Sequence, residues 1–168
     1  MNKVEPLSRE HDRGGFDCGV EALNAYLRNT ARQHLEKQIS MTYVLVEEAA
    51  TAPKPVLGYF TVGMCEILAA DISPKFAKKY PPKVPAIRLG RLAIDHRHQG
   101  KRLGKALLFA ALRHYWLTAE TVGGVAIIVD AKDEPAARFY RHFGFQPFDS
   151  DPLKLYLPLG VVRQFFAA

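Results

Sequence analysis

The stretch Ile87-Arg88-Leu89-Gly90-Arg91-Leu92-Ala93-Ile94-Asp95-His96-Arg97-His98-Gln99-Gly100-Lys101-Arg102-Leu103-Gly104-Lys105-Ala106-Leu107-Leu108 reads as an apolar strand, a basic glycine-bearing turn and a helix. Such a turn aims a row of backbone N–H groups at one spot, and the helix adds the positive end of its dipole. Arg97, Lys101, Arg102 and Lys105 surround that spot with positive charge. Together these features make a phosphate cradle. The plainer alternative is a helix capped by a glycine turn, with its lysines simply solvated.

Two nucleotide motifs fail on this turn. A Walker A loop has four residues between its glycines, followed by Lys and Ser or Thr. Gly100 and Gly104 enclose only Lys101, Arg102 and Leu103, and Ala106 after Lys105 has no hydroxyl for Mg²⁺. The dinucleotide pattern G-x-G-x-x-G is also absent, because only two glycines are present. A pyrophosphate held without a metal-binding hydroxyl or a ribose-binding acid suits a carrier such as coenzyme A.

Working outward, the 168 residues, 48% of them hydrophobic, suffice for one domain with a substantial core. No repeat, low-complexity tract or boundary divides them, so a single domain over 1–168 is expected. No apolar run approaches a membrane span, and Met1-Asn2-Lys3 opens no signal-peptide core. Cys18 and Cys65 have no metal or redox spacing, so a reducing cytoplasm is expected, with Cys65 a small core residue at the end of an apolar strand. His96, His98 and His114 lack ligand spacing with any Cys or acid, His98 is expected beside phosphate and His142 on a helix surface, so no metal is expected. Between Pro74 and His114 there are eleven basic residues and one acid, Asp95. That window carries +10, leaving −4 for the rest of a chain whose total is +6. Either it meets a polyanion larger than one pyrophosphate or it is a solvated basic face.

Periodicity supplies the other elements. A short strand is expected at Val4–Leu7, then a helix capped by Asp17 with Leu23, Leu27, Ala31 and Leu35 on one face, reaching about Lys37. Met41–Glu47 and Val56–Met64 form a hairpin across the turn at Ala49–Pro55. Ala69–Pro85 is proline-rich loop around a short helix at Pro74–Lys79. After the strand at Ala86–Asp95 and the helix at Gly100–Glu120 come a buried strand at Val125–Asp130, a helix at Asp133–His142 and a last strand at Leu153–Leu157. Trp116 is expected on the core side of its helix.

Arg97-His98-Gln99-Gly100-Lys101-Arg102 resembles the acyl-CoA motif R/Q-x-x-G-x-G/A of the GNAT N-acetyltransferases, with Arg102 in place of the small residue. Ala136-Ala137-Arg138-Phe139-Tyr140-Arg141-His142-Phe143-Gly144-Phe145 is similar to the family's A-x-x-F-Y-x-x-x-G-F. The resemblance implies an α/β (α+β) GNAT fold, with a mixed central sheet of six to seven strands flanked by helices. Acyl-CoA then lies in the splay between the fourth and fifth strands. It implies acetyl-CoA as co-substrate, its pantetheine arm along Leu92, Ala93 and Ile94, and its phosphates on Arg97, His98, Gln99, Gly100, Lys101, Arg102, Leu103, Gly104 and Lys105. Tyr140 falls where the family keeps a tyrosine beside the thioester sulfur as general acid.

Phe16-Asp17-Cys18-Gly19, Leu23-Asn24-Ala25-Tyr26-Leu27 and Tyr80–Asp95 further resemble the GNAT toxins of type II toxin–antitoxin pairs, which acetylate the α-amino group of aminoacyl-tRNA and stop translation. On that resemblance Lys75, Lys78, Lys79, Lys83, Arg88 and Arg91 meet tRNA, a small DNA-binding antitoxin of ribbon-helix-helix type is the partner, and the chain is a homodimer. An α-amine, with a pKa of about 8, needs little help from a base. Glu66 is the one acid near enough to weigh for that role, against a plain rim carboxylate. Two other readings stay open: a GNAT enzyme for a protein terminus or small amine, and a GNAT-fold binding module without turnover in a DNA-bound antitoxin complex.

Overall fold

An alternation of strand and helix carries most of the chain, and the structure, a computed structural model, describes residues 1–166. Asn2–Pro6 (β1) starts slightly earlier than the pattern suggests, and a two-residue strand, His11–Asp12 (β2), follows it. The amphipathic segment is one helical stretch in three parts: α1 (Glu21–Ala25), a π-helical turn at Tyr26–Thr30, and α2 (Ala31–Glu36). Its four-residue recurrence turns Leu27 and Ala31 fully inward. Asp17 is not its cap. Val20 holds the N-cap position without a side-chain bond, and the Asp17 carboxylate accepts from the Gly19 N–H and from Asn24 Nδ2, each at 2.9 Å. Gly19, at φ +87°, turns the chain between the two.

Met41–Glu47 (β3), Lys54–Pro55 (β4) and Gly58–Leu68 (β5) follow, β5 running past Cys65. Cys65 is therefore inside the strand and only half-buried, and burial still pushes its thiol up. Ala69–Ile72 (α3) and Pro74–Lys79 (α4) break the proline-rich segment, and Lys83–Ile94 (β6) begins before the expected Ala86. A 3₁₀ turn at His96–His98 leads to Leu103–Val122 (α5), Ala126–Asp130 (β7) and Glu134–His142 (α6). The chain continues through Gln146–Phe148 (β8), Asp151–Pro158 (β9) and Leu159–Phe166 (α7). β2, β4, α3, β8 and α7 escape the sequence pattern because each is too short, or too mixed in composition, for a period to show. Trp116 is half-buried and stacks on Phe166 at 5.7 Å.

The expected mixed sheet is present. Seven strands run in the order β1-β3-β5-β6-β7-β9-β8, parallel between β6 and β7 and antiparallel between β1 and β3, β3 and β5, β7 and β9, and β8 and β9. β2 and β4 form a small parallel pair. Two compact units share the chain, 1–63 with 90–111 and 64–89 with 112 onward. β5, β6 and α5 pass from one unit into the other. The first unit is built on Phe16, Tyr26, Leu27, Val44, Val46 and Tyr59, and the second on Ile67, Ile72, Val84, Ala86, Ile128 and Phe148. Among the described residues no helix is long and apolar enough to cross a membrane.

Thr42 of β3 faces Thr61 of β5, is fully buried, and its hydroxyl has no hydrogen-bond partner among the described residues. A buried hydroxyl without a partner carries its desolvation penalty uncompensated. Thr42→Val keeps the shape and removes the group, so it is expected to stabilise the fold by about 1 kcal/mol. Thermal unfolding should show this as a rise of about 2–4 °C in Tm.

Candidate active site

The turn after β6 is fastened from behind by one carboxylate. Asp95 is completely buried and accepts from the Arg97 N–H at 2.9 Å and from the Asp17 N–H at 3.1 Å. The Arg97 side chain grips both of its oxygens, Nε on Oδ1 and Nη2 on Oδ2, each at 2.9 Å. The Arg97 guanidinium, ahead of the backbone donors and against the opposing effect of burial, holds the Asp95 carboxyl far below the usual carboxylate range. Arg97 also donates to Gly15 O at 3.2 Å, and Gln99 Nε2 reaches Cys18 O at 3.2 Å and Ile94 O at 3.0 Å. The loop at 15–18 therefore backs the turn. Among the turn's cations, Arg97 is bonded to Asp95 while its side chain stays exposed.

Beyond Gln99 the backbone changes hand. Gly100 has φ +82° and Arg102 has φ +61°, a conformation that favours glycine. The glycine-like conformation at 102 accounts for the small residue in the motif, and Arg102 adopts it with its side chain exposed. Ala106 N is bonded to Arg102 O at 3.3 Å, so the N–H groups of Leu103, Gly104 and Lys105 are the first of α5 and have no intrahelical acceptor. A Cβ built on Gly100 would meet nothing within 4 Å, so the space over its backbone is open. Lys101, Arg102 and Lys105 are exposed around it, His98 is half-buried, and Lys101 Nζ lies 3.5 Å from His98 Nδ1. A pocket of about 270 Å³ opens beside His98, lined by Glu47, Pro55, Leu57 and Arg97. This backbone and charge fit a pyrophosphate.

Leu92, Ala93 and Ile94 end β6, Ala93 buried and its neighbours half-buried. The β6–β7 register runs from Ile87↔Ile127 to Leu89↔Val129, so these three residues continue past its end. Gly58 makes their position possible, because a Cβ there would stand 2.6 Å from Ile94 Cδ1 and 2.9 Å from Ala93 O. Sequence pattern missed Gly58, since nothing local to β5 signals a neighbour that close.

In the second unit, Tyr140 lies on α6, which starts with the Asp133 carboxylate accepting from Ala136 N–H at 2.9 Å. Its ring meets Phe139 and Phe145 edge-on at 5.3 and 5.4 Å. It is half-buried, its hydroxyl has no hydrogen-bond partner among the described residues, and burial pushes its phenol up to about 12. Glu66 is exposed on β5. His96 Nδ1 sits 2.8 Å from Asp17 O, His114 is half-buried with its pKa lowered by burial, and His142 is exposed. No three His, Cys, Asp or Glu residues are grouped to hold a metal among the described residues.

The remaining cations divide. Lys75, Lys78 and Lys79 stand on α4, and Lys83 is exposed as the first residue of β6 rather than within a loop. Ser73 caps α4 by accepting from Phe76 N at 3.0 Å, and Phe76 stacks on Tyr80 at 4.3 Å and meets Tyr156 at 6.0 Å. These lysines thus ride on an anchored helix. Arg88 is ion-paired with Asp130, which lies outside the basic window, while Arg91 lies over the Tyr26 ring.

The fold and the phosphate-fitting turn define an N-acetyltransferase. Residues 40–147 match the acetyltransferase (GNAT) domain, and the chain belongs to that family. It is 32% identical over 151 residues to a tRNA-acetylating toxin of Mycobacterium tuberculosis (strain ATCC 25618 / H37Rv), covering 90% of this chain and 88% of that one. It is also similar to AtaT complexed with acetyl-methionyl-tRNAfMet, with a TM-score of 0.90, 31% identity, and 99% and 100% of the two chains covered. For a mutant AtaT toxin bound to the C-terminus of the antitoxin AtaR and acetyl-CoA, the TM-score is 0.84 at 28% identity, covering 99% of each chain.

Gly100→Ala should cost about 1 kcal/mol of stability through its left-handed backbone alone and should weaken acetyl-CoA binding at least tenfold. Gly123, at φ +92° with nothing within 4 Å of a Cβ, is the control. Gly123→Ala should cost the same stability and leave acetyl-CoA affinity intact. Calorimetric titration of both variants decides the placement, and equal affinities would reject it.

Proposed function

We propose that this chain is a toxin that transfers the acetyl group of acetyl-CoA to the α-amino group of aminoacyl-tRNA and so blocks translation. The observation that carries the reading is the end-to-end likeness to AtaT in its acetyl-methionyl-tRNAfMet complex. The lysines of α4 and Lys83 support it as cations available to a phosphate backbone. The likeness to antitoxin-bound AtaT supports a cognate antitoxin partner. We take that partner as a small DNA-binding protein of ribbon-helix-helix type, the toxin as a cytoplasmic homodimer, and residues 1–168 as one domain, since the family match at 40–147 crosses both units.

In the reaction the neutral amine attacks the thioester carbonyl carbon, the C–S bond breaks, nitrogen loses a proton and sulfur gains one. Leu92–Ile94 hold the pantetheine arm by strand-like backbone bonds, and the N–H groups from Gln99 to Gly104 take the pyrophosphate. Tyr140 is the acid. With its phenol at about 12 and an ordinary thiol at about 8.5, outright transfer to a free thiolate would run uphill by roughly 5 kcal/mol. Tyr140 therefore acts by donating a hydrogen bond to sulfur as charge develops there, with its proton following as the amine releases one. Glu66 is not required as a base, because an α-amine of pKa about 8 is already substantially neutral near pH 7–8.

Tyr140→Phe should lower turnover about 10²–10⁴-fold while leaving acetyl-CoA affinity and the fold intact. Because the phenol stays protonated, wild-type kcat/KM should rise with pH through the amine's ionisation and then stay level to at least about pH 10. A fall in rate across pH 8–10 would contradict a Tyr140 phenol that stays protonated there.

Replacing Lys75, Lys78, Lys79 and Lys83 together by Ala should weaken tRNA binding and flatten its salt dependence, with acetyl-CoA binding unchanged. Incubating wild type with charged tRNA and labelled acetyl-CoA should yield N-acetylaminoacyl ester. Label confined to proteins or small amines would replace the toxin reading with a general GNAT one, and no transfer at all would favour a binding module.

A further inference from the structure

Half-buried arginines in the first unit have partners, with one exception. Arg32 pairs with Glu36 at 3.4 Å, and Arg13 donates to Arg28 O at 3.1 Å. Arg91, also half-buried, has neither a carboxylate nor a carbonyl partner among the described residues. Its guanidinium carbon lies 3.4 Å from the centroid of the Tyr26 ring. That ring is fixed: Tyr26 is 6% exposed, its hydroxyl lies 3.2 Å from His34 Nδ1 and 3.0 Å from Ser40 Oγ, and it stacks on Tyr59 at 6.5 Å. Tyr26 also opens the π-helical turn, a local irregularity of the kind often found at functional sites.

A guanidinium stacked by its face keeps its N–H edge available, and a planar fork with no acid nearby suits a bidentate anion. Arg91 directly precedes Leu92, so it stands about 3.3 Å along the strand from the backbone read as the thioester arm's support. On the proposed placement of the arm along Leu92–Ile94, an anion held by Arg91 falls within reach of the attacking amine's substrate. In aminoacyl-tRNA the amino acid's carboxyl is esterified and uncharged, and the nearest anion is the phosphodiester joining the last two nucleotides. We propose that Arg91, held flat by Tyr26, clamps the 3′-terminal phosphodiester of the aminoacyl-tRNA acceptor end. This rests on the aminoacyl-tRNA reading above and assigns one phosphate of that substrate to one side chain.

The test uses whichever amino acid the charged-tRNA assay labels, so failure of the broader reading appears first, as unlabelled tRNA. That amino acid is then presented on two small esters, 3′-aminoacyl-adenosine without a phosphate and aminoacyl-cytidylyl-adenosine with one. Wild type should favour the phosphate-bearing ester by about ten- to a hundred-fold in kcat/KM, the scale of a charge-assisted hydrogen bond. Arg91→Ala should erase that preference, with a far larger loss of kcat/KM on the phosphate-bearing ester than on the adenosine ester and with acetyl-CoA affinity retained. Arg91→Lys should restore only part of it, and Tyr26→Phe, which keeps the ring, should retain more of it than Tyr26→Leu. No wild-type preference, equal losses on both esters in Arg91→Ala, or a weakened acetyl-CoA affinity would each overturn the assignment. A retained preference in Arg91→Ala would do the same.

Discussion

The buried carboxylate of Asp95 is the constraint on which the turn after β6 depends. It joins the end of β6 to the loop at 15–18 and fixes Arg97 through three bonds, one from the backbone and two from the guanidinium. A buried carboxylate this well paired has a folded pKa far below its unfolded value of about 3.9. Its contribution to stability is therefore complete above that unfolded value and is lost only as pH falls toward the folded one. The turn stays fastened throughout the range in which an amine could react.

With Arg97 bonded to Asp95, the phosphate site proposed at this turn draws chiefly on the backbone and on the other cations around it. The two left-handed positions at Gly100 and Arg102 and the free N–H groups at the start of α5 supply directed donors. Lys101, Arg102 and Lys105 supply exposed charge. Arg102 is the instructive departure, since a bulky residue takes up the backbone conformation of a glycine by keeping its side chain in solvent.

Charge counted along the sequence and charge available in the fold are different quantities. Within the basic window Arg88 is neutralised by Asp130 and Arg97 by Asp95, one partner lying outside the window and one inside. The lysines of α4 have no carboxylate partner among the described residues and stand on a capped helix whose Phe76 packs into an aromatic cluster. Arg91 has a ring rather than an acid as its neighbour.

Much of this protein was legible in order of residues. The glycine turn between strand and helix, the apolar run of β7, the capped α6 bearing Tyr140 and the recurrence of Leu27 and Ala31 are local patterns, with periods set by backbone geometry. The short strands β2, β4 and β8 were not legible, because two or three residues carry no period. Neither was the N-cap, since Asp17 satisfied a nearby donor pair, Gly19 and Asn24, instead of the helix. Only the tertiary structure decided which cations remain free, that Gly58 must lack a side chain beside Ile94, and that Tyr26 supports Arg91. Each of these depends on residues far apart in sequence brought within a few ångströms, and local pattern carries no information about such pairs.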